Sequence, residues 1–140
     1  MNIKLVHEKA IIPTKGSDDS AGYDLYTIDN ALIQPRKSAK LRTGVCLEME
    51  NNTVGLIWER SKLASKFGIQ ILGGVIDCDY RGEIMISVYN AGEKPFEVYA
   101  GDRMAQIIFH QYYNYDFNVV SELNDTSRGT DGINSMETRR

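Results

Sequence analysis

Two carboxylates, Asp77 and Asp79, flank one cysteine and lead directly into Tyr80-Arg81-Gly82 within GGVIDCDYRGEIMISVYN, residues 73–90. Carboxylates held near the end of a rigid element are a frequent means of positioning a water or a ligand. A solvated turn uses the same residue types. Other segments carry groups suited to phosphate. ERSKLASKFG, 59–68, brings Arg60, Ser61 and Lys62 to what reads as a helix start, where unpaired N–H groups suit an anion. The same residues also make an ordinary surface helix. GDRMAQIIF, 101–109, sets Gln106 in an apolar run, where its amide finds backbone or ligand partners or costs roughly 1–3 kcal/mol. RGTDGINS, 128–135, offers Arg128, two glycines and a serine, a composition that can wrap a phosphate and that is also common in plain tails. In AGYDLYT, 21–27, Asp24 opens an apparent strand, where a turn or supporting role is commoner than catalysis.

Strands must position most of these groups. Ile84, Ile86 and Val88 alternate with Met85, Ser87 and Tyr89, and Val75-Ile76 lead into the acids without helical spacing, so 73–90 reads as a hairpin with carboxylates at its tip. Leu41, Thr43, Val45, Leu47 and Met49 alternate along one predicted strand; Val54, Leu56 and Trp58 repeat the pattern, as do Phe96 and Val98. Met104–Tyr113 is long and apolar, as a central strand can be. Turn signals every 8–12 residues indicate an all-β sandwich or barrel. Only 61–68 departs from this, as a short helix with Ser61 as N-cap and Gly68 just past its end. From Ser121 onward apolar residues are few, which predicts a flexible tail, 121–140, behind a β domain, 1–120.

At 140 residues the chain fits one domain with a real core. No apolar run approaches the ~18 residues of a membrane span, and the N-terminus lacks the apolar stretch of a secretory signal. Cys46, Cys78, His7 and His110 have no zinc-ligand spacing, and free thiols fit a reducing compartment, cytoplasmic or, for a eukaryotic or eukaryotic-virus source, nuclear. A net charge of −3 disfavours long nucleic acid and leaves room for small phosphorylated ligands, which need only a local cluster.

Together and in this order, the segments 21–27, 59–68, 73–90, 101–109 and 128–135 resemble the motifs of the trimeric dUTP pyrophosphatase (dUTPase) family. The resemblance implies a β jelly roll assembled as a homotrimer with shared active sites. It implies Mg2+-dependent hydrolysis of dUTP to dUMP and pyrophosphate by water attack on the α-phosphate, which limits uracil incorporation into DNA and supplies dUMP for thymidylate synthesis. By position, Asp77 becomes the base that activates water, with Asp24 and Asp79 in support. Tyr80 packs against the deoxyribose and leaves no space for a 2′-hydroxyl. Gly74, Val75, Ile76 and Met85 belong to the hairpin whose backbone reads uracil. Arg60, Ser61, Lys62 and Gln106 hold phosphates, and Arg128, Ile133, Asn134 and Ser135 close over them from a neighbouring subunit. The Mg2+ is held mainly by triphosphate and water, without a side-chain cage.

The chain departs from the family pattern at Glu59, where Pro is usual, at Lys62, which replaces a small residue, and at Asp131, Ile133 and Asn134. Glu59 is expected to weaken the phosphate site unless it points away or pairs with Arg60. The tail changes imply weaker closure. Competing readings are a dCTP deaminase-like enzyme, which the Asp-Cys-Asp-Tyr tip disfavours, and a non-catalytic dUTP-binding regulatory protein on the same fold.

Overall fold

The computed structural model describes residues 1–130 and 132. The strands are β1 (Asn2–Leu5), β2 (Thr14–Lys15), β3 (Tyr23–Tyr26), β4 (Ala31–Ile33), β5 (Ser38–Arg42), β6 (Val45–Glu48), β7 (Thr53–Trp58), β8 (Ile69–Ile71), β9 (Val75–Ile76), β10 (Met85–Asn90), β11 (Phe96–Val98) and β12 (Arg103–Gln111). One helix, α1 (Ser61–Phe67), interrupts them. A five-stranded sheet, β2-β3-β12-β7-β9, and a three-stranded sheet, β5-β10-β8, are joined by the pairs β1-β6 and β11-β4. This is an all-β, jelly-roll-like sandwich with every pairing antiparallel. No helix among the described residues is long and apolar enough to cross a membrane.

Alternation drives the assembly. Ile86 and Val88 of β10 are fully buried while Met85, Ser87 and Tyr89 are partly open, as their period of two dictates. They meet Leu25, Ile57 and Ile107 of the larger sheet in one shared core. Each such side chain contributes about 1.5–3 kcal/mol on burial. The apolar run 104–113 falls largely in β12, central between β3 and β7, as its composition predicts.

Three local expectations are corrected. The alternating run 41–49 is two strands: β5 pairs with β10, β6 pairs with β1, and the chain turns a corner at Thr43-Gly44, where Gly44 has φ 70°. The helix N-cap is Arg60 rather than Ser61: Arg60 is extended at φ −83°, ψ 130°, and no side chain caps the first turn. Gly68 closes the other end as expected, left-handed at φ 69°, ψ 26°.

The third correction concerns 73–90, which is not a two-stranded hairpin. β8 pairs with β10 as far as the Leu72 N–H, which donates to the Ser87 carbonyl at 2.9 Å. Gly73, at φ 60°, then swings the chain away, and β9 pairs with β7 instead, with the Ile57 N–H donating to the Gly74 carbonyl at 2.7 Å. β9 and β10 therefore diverge as the arms of a fork, and a cleft opens between them. The close approach at Gly74 permits no side chain, because a Cβ there would collide with the Ile57 carbonyl oxygen. Gly73 faces open space and needs glycine only for its left-handed backbone.

Gly74→Ala should thus destabilise the protein by about 1–3 kcal/mol through overpacking, and Gly73→Ala by about 1–2 kcal/mol through backbone strain alone. Urea unfolding of the two variants checks this; a Gly74→Ala midpoint equal to wild type would contradict the close approach.

Candidate active site

Antiparallel register brings distant residues into one row. Gln106 of β12 lies opposite Asp24 of β3 on one side and Trp58 of β7 on the other, so the segment leaving β7 at Glu59 and Arg60 passes beside Asp24. Asp24 is nearly buried and accepts from Arg60 Nε at 2.8 Å and from Arg103 Nη1 at 3.2 Å. Arg60 Nη1 also donates to the Arg103 carbonyl at 3.3 Å. Gln106 Nε2 donates to the Glu59 carbonyl at 2.8 Å, which satisfies the amide within the protein. Two anchors thus fix the peptide that enters α1, and they present Arg60, exposed Ser61 and exposed Lys62 at a helix start with uncapped N–H groups.

The Glu59 carboxylate points away from this corner. It accepts from the Ile71 N–H at 2.9 Å, on the edge of β8 opposite β10. Its charge is engaged at the strand edge, and the partner of Arg60 is Asp24, not Glu59.

The second feature is the cleft of the fork, about 270 Å3, lined by Val75, Ile76, Asp77, Tyr80 and Met85 together with Lys40, Glu83 and Ser87. This is close to the lower end, ~300 Å3, of ordinary ligand pockets. Main-chain groups of two strands turn towards it. Ile84 donates its N–H to Val45, on the β5 side, so alternation turns the N–H and C=O of Met85 to the edge that β8 has left. Likewise Gly74 bonds to Ile57, so Val75 turns its own N–H and C=O away from β7. Gly74 is the pivot of the fork rather than part of the cleft lining.

A turn caps the cleft, with the Tyr80 N–H donating to the Asp77 carbonyl at 3.2 Å and Arg81 Nη1 to the Cys78 carbonyl at 2.7 Å. Asp77 and Asp79 are both exposed, but only Asp77 lines the cleft. Behind them Cys78 Sγ and Tyr112 Oη lie 3.7 Å apart. That contact, with the charges of Asp77 and Asp79 adding to it, raises the Tyr112 phenol above its ordinary value. For Glu83, partial burial pushes the carboxyl upward. Its hydrogen bonds to Arg42 and the Gly44 N–H, and the charges of Arg42 and His7, outweigh burial and hold it below the usual glutamate range.

Arg128 is exposed in the C-terminal segment, and residues 112–130 contain no strand or helix. Ile133, Asn134 and Ser135, with Asp131, lie outside the described residues. Sequence reasoning missed Arg103 and Glu83. Arg103 sits inside the quoted GDRMAQIIF segment, but its meeting with Asp24 is a matter of register. Glu83 immediately precedes the fully buried Ile84, and an acid at that boundary was the available signal.

Asp24→Asn should cost about 1–3 kcal/mol, since it removes a charged acceptor from two guanidinium groups. Arg103→Ala should cost under about 1 kcal/mol, because that side chain is 49% exposed and its ion pair is screened. Chemical denaturation of both variants checks the order, and a larger loss for Arg103→Ala would refute it. Glu83 generates a pH prediction. Its folded pKa is depressed, so its contribution to stability is full above the ordinary glutamate pKa and is lost as pH falls through the lower folded value. Glu83→Gln should therefore narrow the stability gap to wild type as pH falls through that window; a constant gap would count against the clamp.

The dUTPase family profile matches residues 8–136. The deoxyuridine 5'-triphosphate nucleotidohydrolase of Paramecium bursaria Chlorella virus 1 is 41% identical over 133 residues, covering 95% of this chain and 94% of that one. In fold, the chain superposes on the Staphylococcus bacteriophage 80alpha dUTPase with dUPNHPP at a TM-score of 0.91 and 23% identity, covering 96% of each chain. The dUTPase of phage phi11 of S. aureus, described with a coordinated structural Mg(II) ion, superposes at 0.82 and 22% identity, covering 89% of this chain and 98% of that one. A profile spanning most of the chain and an identity of 41% along nearly its whole length lead to one conclusion: the chain belongs to the dUTPase family.

Proposed function

We propose that this chain hydrolyses dUTP to dUMP and pyrophosphate, and that the cleft between β9 and β10 receives the deoxyuridine. The observation that carries this reading is an exposed carboxylate, Asp77, at a cleft walled by two main-chain edges. Uracil offers an N–H between two carbonyls, which suits strand edges that alternate donors and acceptors. Cytosine would set a donor against a donor and leave buried partners unpaired, a strong basis for rejection. Tyr80 lines the same cleft, where its ring can pack on the sugar.

Attack on the α-phosphorus needs an oriented water, a base and relief of charge on the phosphate oxygens. Asp77, exposed at the mouth of the cleft, serves as the base. Arg60, Ser61, Lys62 and the first-turn N–H groups of α1 face the phosphates. Asp24 and Gln106 act on them through this segment, one by holding the Arg60 guanidinium and the other by holding the Glu59 carbonyl. Asp79 shapes the turn that carries Asp77.

Among the described residues no group of three or more His, Cys, Asp or Glu could hold a metal ion. A cleft with Asp77 and Glu83 but no cluster of metal-ligating side chains fits an Mg2+ that arrives on the triphosphate and keeps most of its ligands from phosphate and water. Bound there, it would neutralise charge on the phosphate oxygens.

The tail bears on assembly. Tyr113, Phe117 and Leu123 are 83%, 94% and 88% exposed, an apolar series that a lone chain leaves in water. A homotrimer in which the segment from about Tyr113 crosses to a neighbour would cover it and bring Arg128, followed by residues 131–135, over a shared site. The division into a β domain, 1–120, and a closing tail, 121–140, is kept as part of this reading, with the crossing beginning a little ahead of that boundary. The enzyme acts where the nucleotide pool is, in cytoplasm or nucleus.

The deciding experiment is pyrophosphate release from dUTP, compared with dCTP, dTTP and UTP. Asp77→Asn should lower kcat by about 10^2–10^4-fold, the usual worth of a general base, while dUTP still binds. Near wild-type turnover in that variant would remove Asp77 from its role. Tight dUTP binding without turnover in the intact protein would favour a regulatory protein, and ammonia release from dCTP a deaminase.

A further inference from the structure

The turn after Asp77 is fastened in a way that the reaction itself does not explain. The Tyr80 ring folds back over Gly82. A Cβ at Gly82 would collide with the Tyr80 hydroxyl oxygen and lie only 2.5 Å from Cζ and 2.9 Å from Cε2. Gly82 is not among the glycines with positive φ, so backbone conformation does not demand glycine there. What the position provides is a slot for the ring.

The Tyr80 hydroxyl donates to the Glu83 carbonyl at 3.2 Å. This is long for an O–H···O bond, whose usual length is about 2.7–2.8 Å, so the slot limits the ring more than the bond does. The Glu83 carboxylate reaches the β5–β6 corner. It accepts from Arg42 Nε and Nη2 at 3.1 and 3.0 Å, and from the Gly44 N–H at 2.7 Å. Next to it, Thr43 Oγ1 donates to the Ile84 carbonyl at 2.7 Å, and the Ile84 N–H donates to the Val45 carbonyl at 2.8 Å. Residues 83–84 are thus bonded at four points to the corner 42–45, which belongs to the body of the sandwich.

We propose that Gly82 and Glu83 are positioning residues for sugar selectivity. The corner Arg42–Val45 holds Glu83, and Glu83 fixes the height of the turn. Gly82 leaves the slot that holds the Tyr80 ring at one depth in the cleft. This rests on the reading of Tyr80 as the residue that packs on the deoxyribose. A ring lifted from its slot no longer closes the space a 2′-hydroxyl would need, so loss of the clamp admits UTP.

The test is the ratio of kcat/KM for dUTP to that for UTP, measured on the full chain with thermal melts alongside. Gly82→Ala should lower the ratio by about tenfold or more, the lower end of what one methylene is worth in a discriminating pocket. Glu83→Ala should lower it comparably. Glu83→Gln, which keeps an acceptor for Gly44, should lower it less, and Tyr80→Phe, which keeps the ring in its slot, should change it by under about threefold, less than the worth of a full hydrogen bond. If Glu83→Ala does not fold, Gly82→Ala and Glu83→Gln decide. Tyr80→Ala separates the two layers. A ratio it leaves unchanged removes Tyr80 from sugar recognition and the clamp with it. A ratio that collapses in Tyr80→Ala but holds in Gly82→Ala and in the Glu83 variants overturns the clamp alone. An equal fall of kcat/KM for both nucleotides in Gly82→Ala and the Glu83 variants marks a merely structural role and overturns it too.

Discussion

The structure turns on one exchange of hydrogen-bond partners. Residues 69–72 bond to β10, and two residues later, at Gly74, the same chain bonds to β7 in the other sheet. Backbone N–H and C=O groups must be paired or solvated, so the exchange leaves two strand edges facing each other with space between them. The cleft is thus a product of the sandwich itself, not of a loop added to it. Glycine is needed at both points of the exchange for different reasons, a left-handed turn at Gly73 and close contact with the Ile57 carbonyl at Gly74. Because the groups on those edges are main chain, they are as rigid as the sheets that bear them. Rigidity of this kind is what discrimination between two bases of the same size requires.

The corner at the entry to α1, proposed above to take phosphate, follows another logic. It presents long cationic side chains, and a flexible arginine gives up conformational entropy when it is held. Asp24 makes that arrangement beforehand. Nearly buried, it holds Arg60 by Nε and leaves the far nitrogens of the fork-shaped guanidinium directed elsewhere. Glu59 shows how a charge can stand next to such a corner without opposing it. Its carboxylate serves as the edge partner of Ile71, its carbonyl serves Gln106, and one residue thereby ties α1's entry to both sheets.

Much of this was legible in the sequence because alternation reports inside against outside. It does not report which strand is the partner. Leu41, Thr43, Val45, Leu47 and Met49 are all buried, as their period requires, yet the chain changes partners midway. Gly44 in the left-handed region bends the path while the alternation of faces runs on, so the pattern carries no mark of the corner. The fork was hidden for a related reason. β9 has only two residues, too few for any local signal to choose between β10 and β7. The acids and Tyr80 could be named as a group from their residue types and order. Arg103 and Glu83 could not, since their importance lies in meeting Asp24 and the 42–45 corner across 79 and 39–41 residues of chain.

Under the proposed function, two parts of the chain meet the nucleotide in different ways. The cleft that would take base and sugar is built from groups fixed within one chain, down to the slot under Tyr80. The start of α1, which would take phosphate, is open, with Ser61 and Lys62 exposed. A small polar substrate can be selected by a rigid cleft, but its charged end must be shielded from bulk water before fixed charges act on it strongly. A C-terminal segment whose Tyr113, Phe117 and Leu123 stay exposed on its own domain is suited to supply that shield, because in the proposed trimer its burial against a neighbour and the closing of the site would become one event. In that proposed arrangement the rigid cleft would test base and sugar, while burial of the tail would shield the phosphates of a nucleotide already seated.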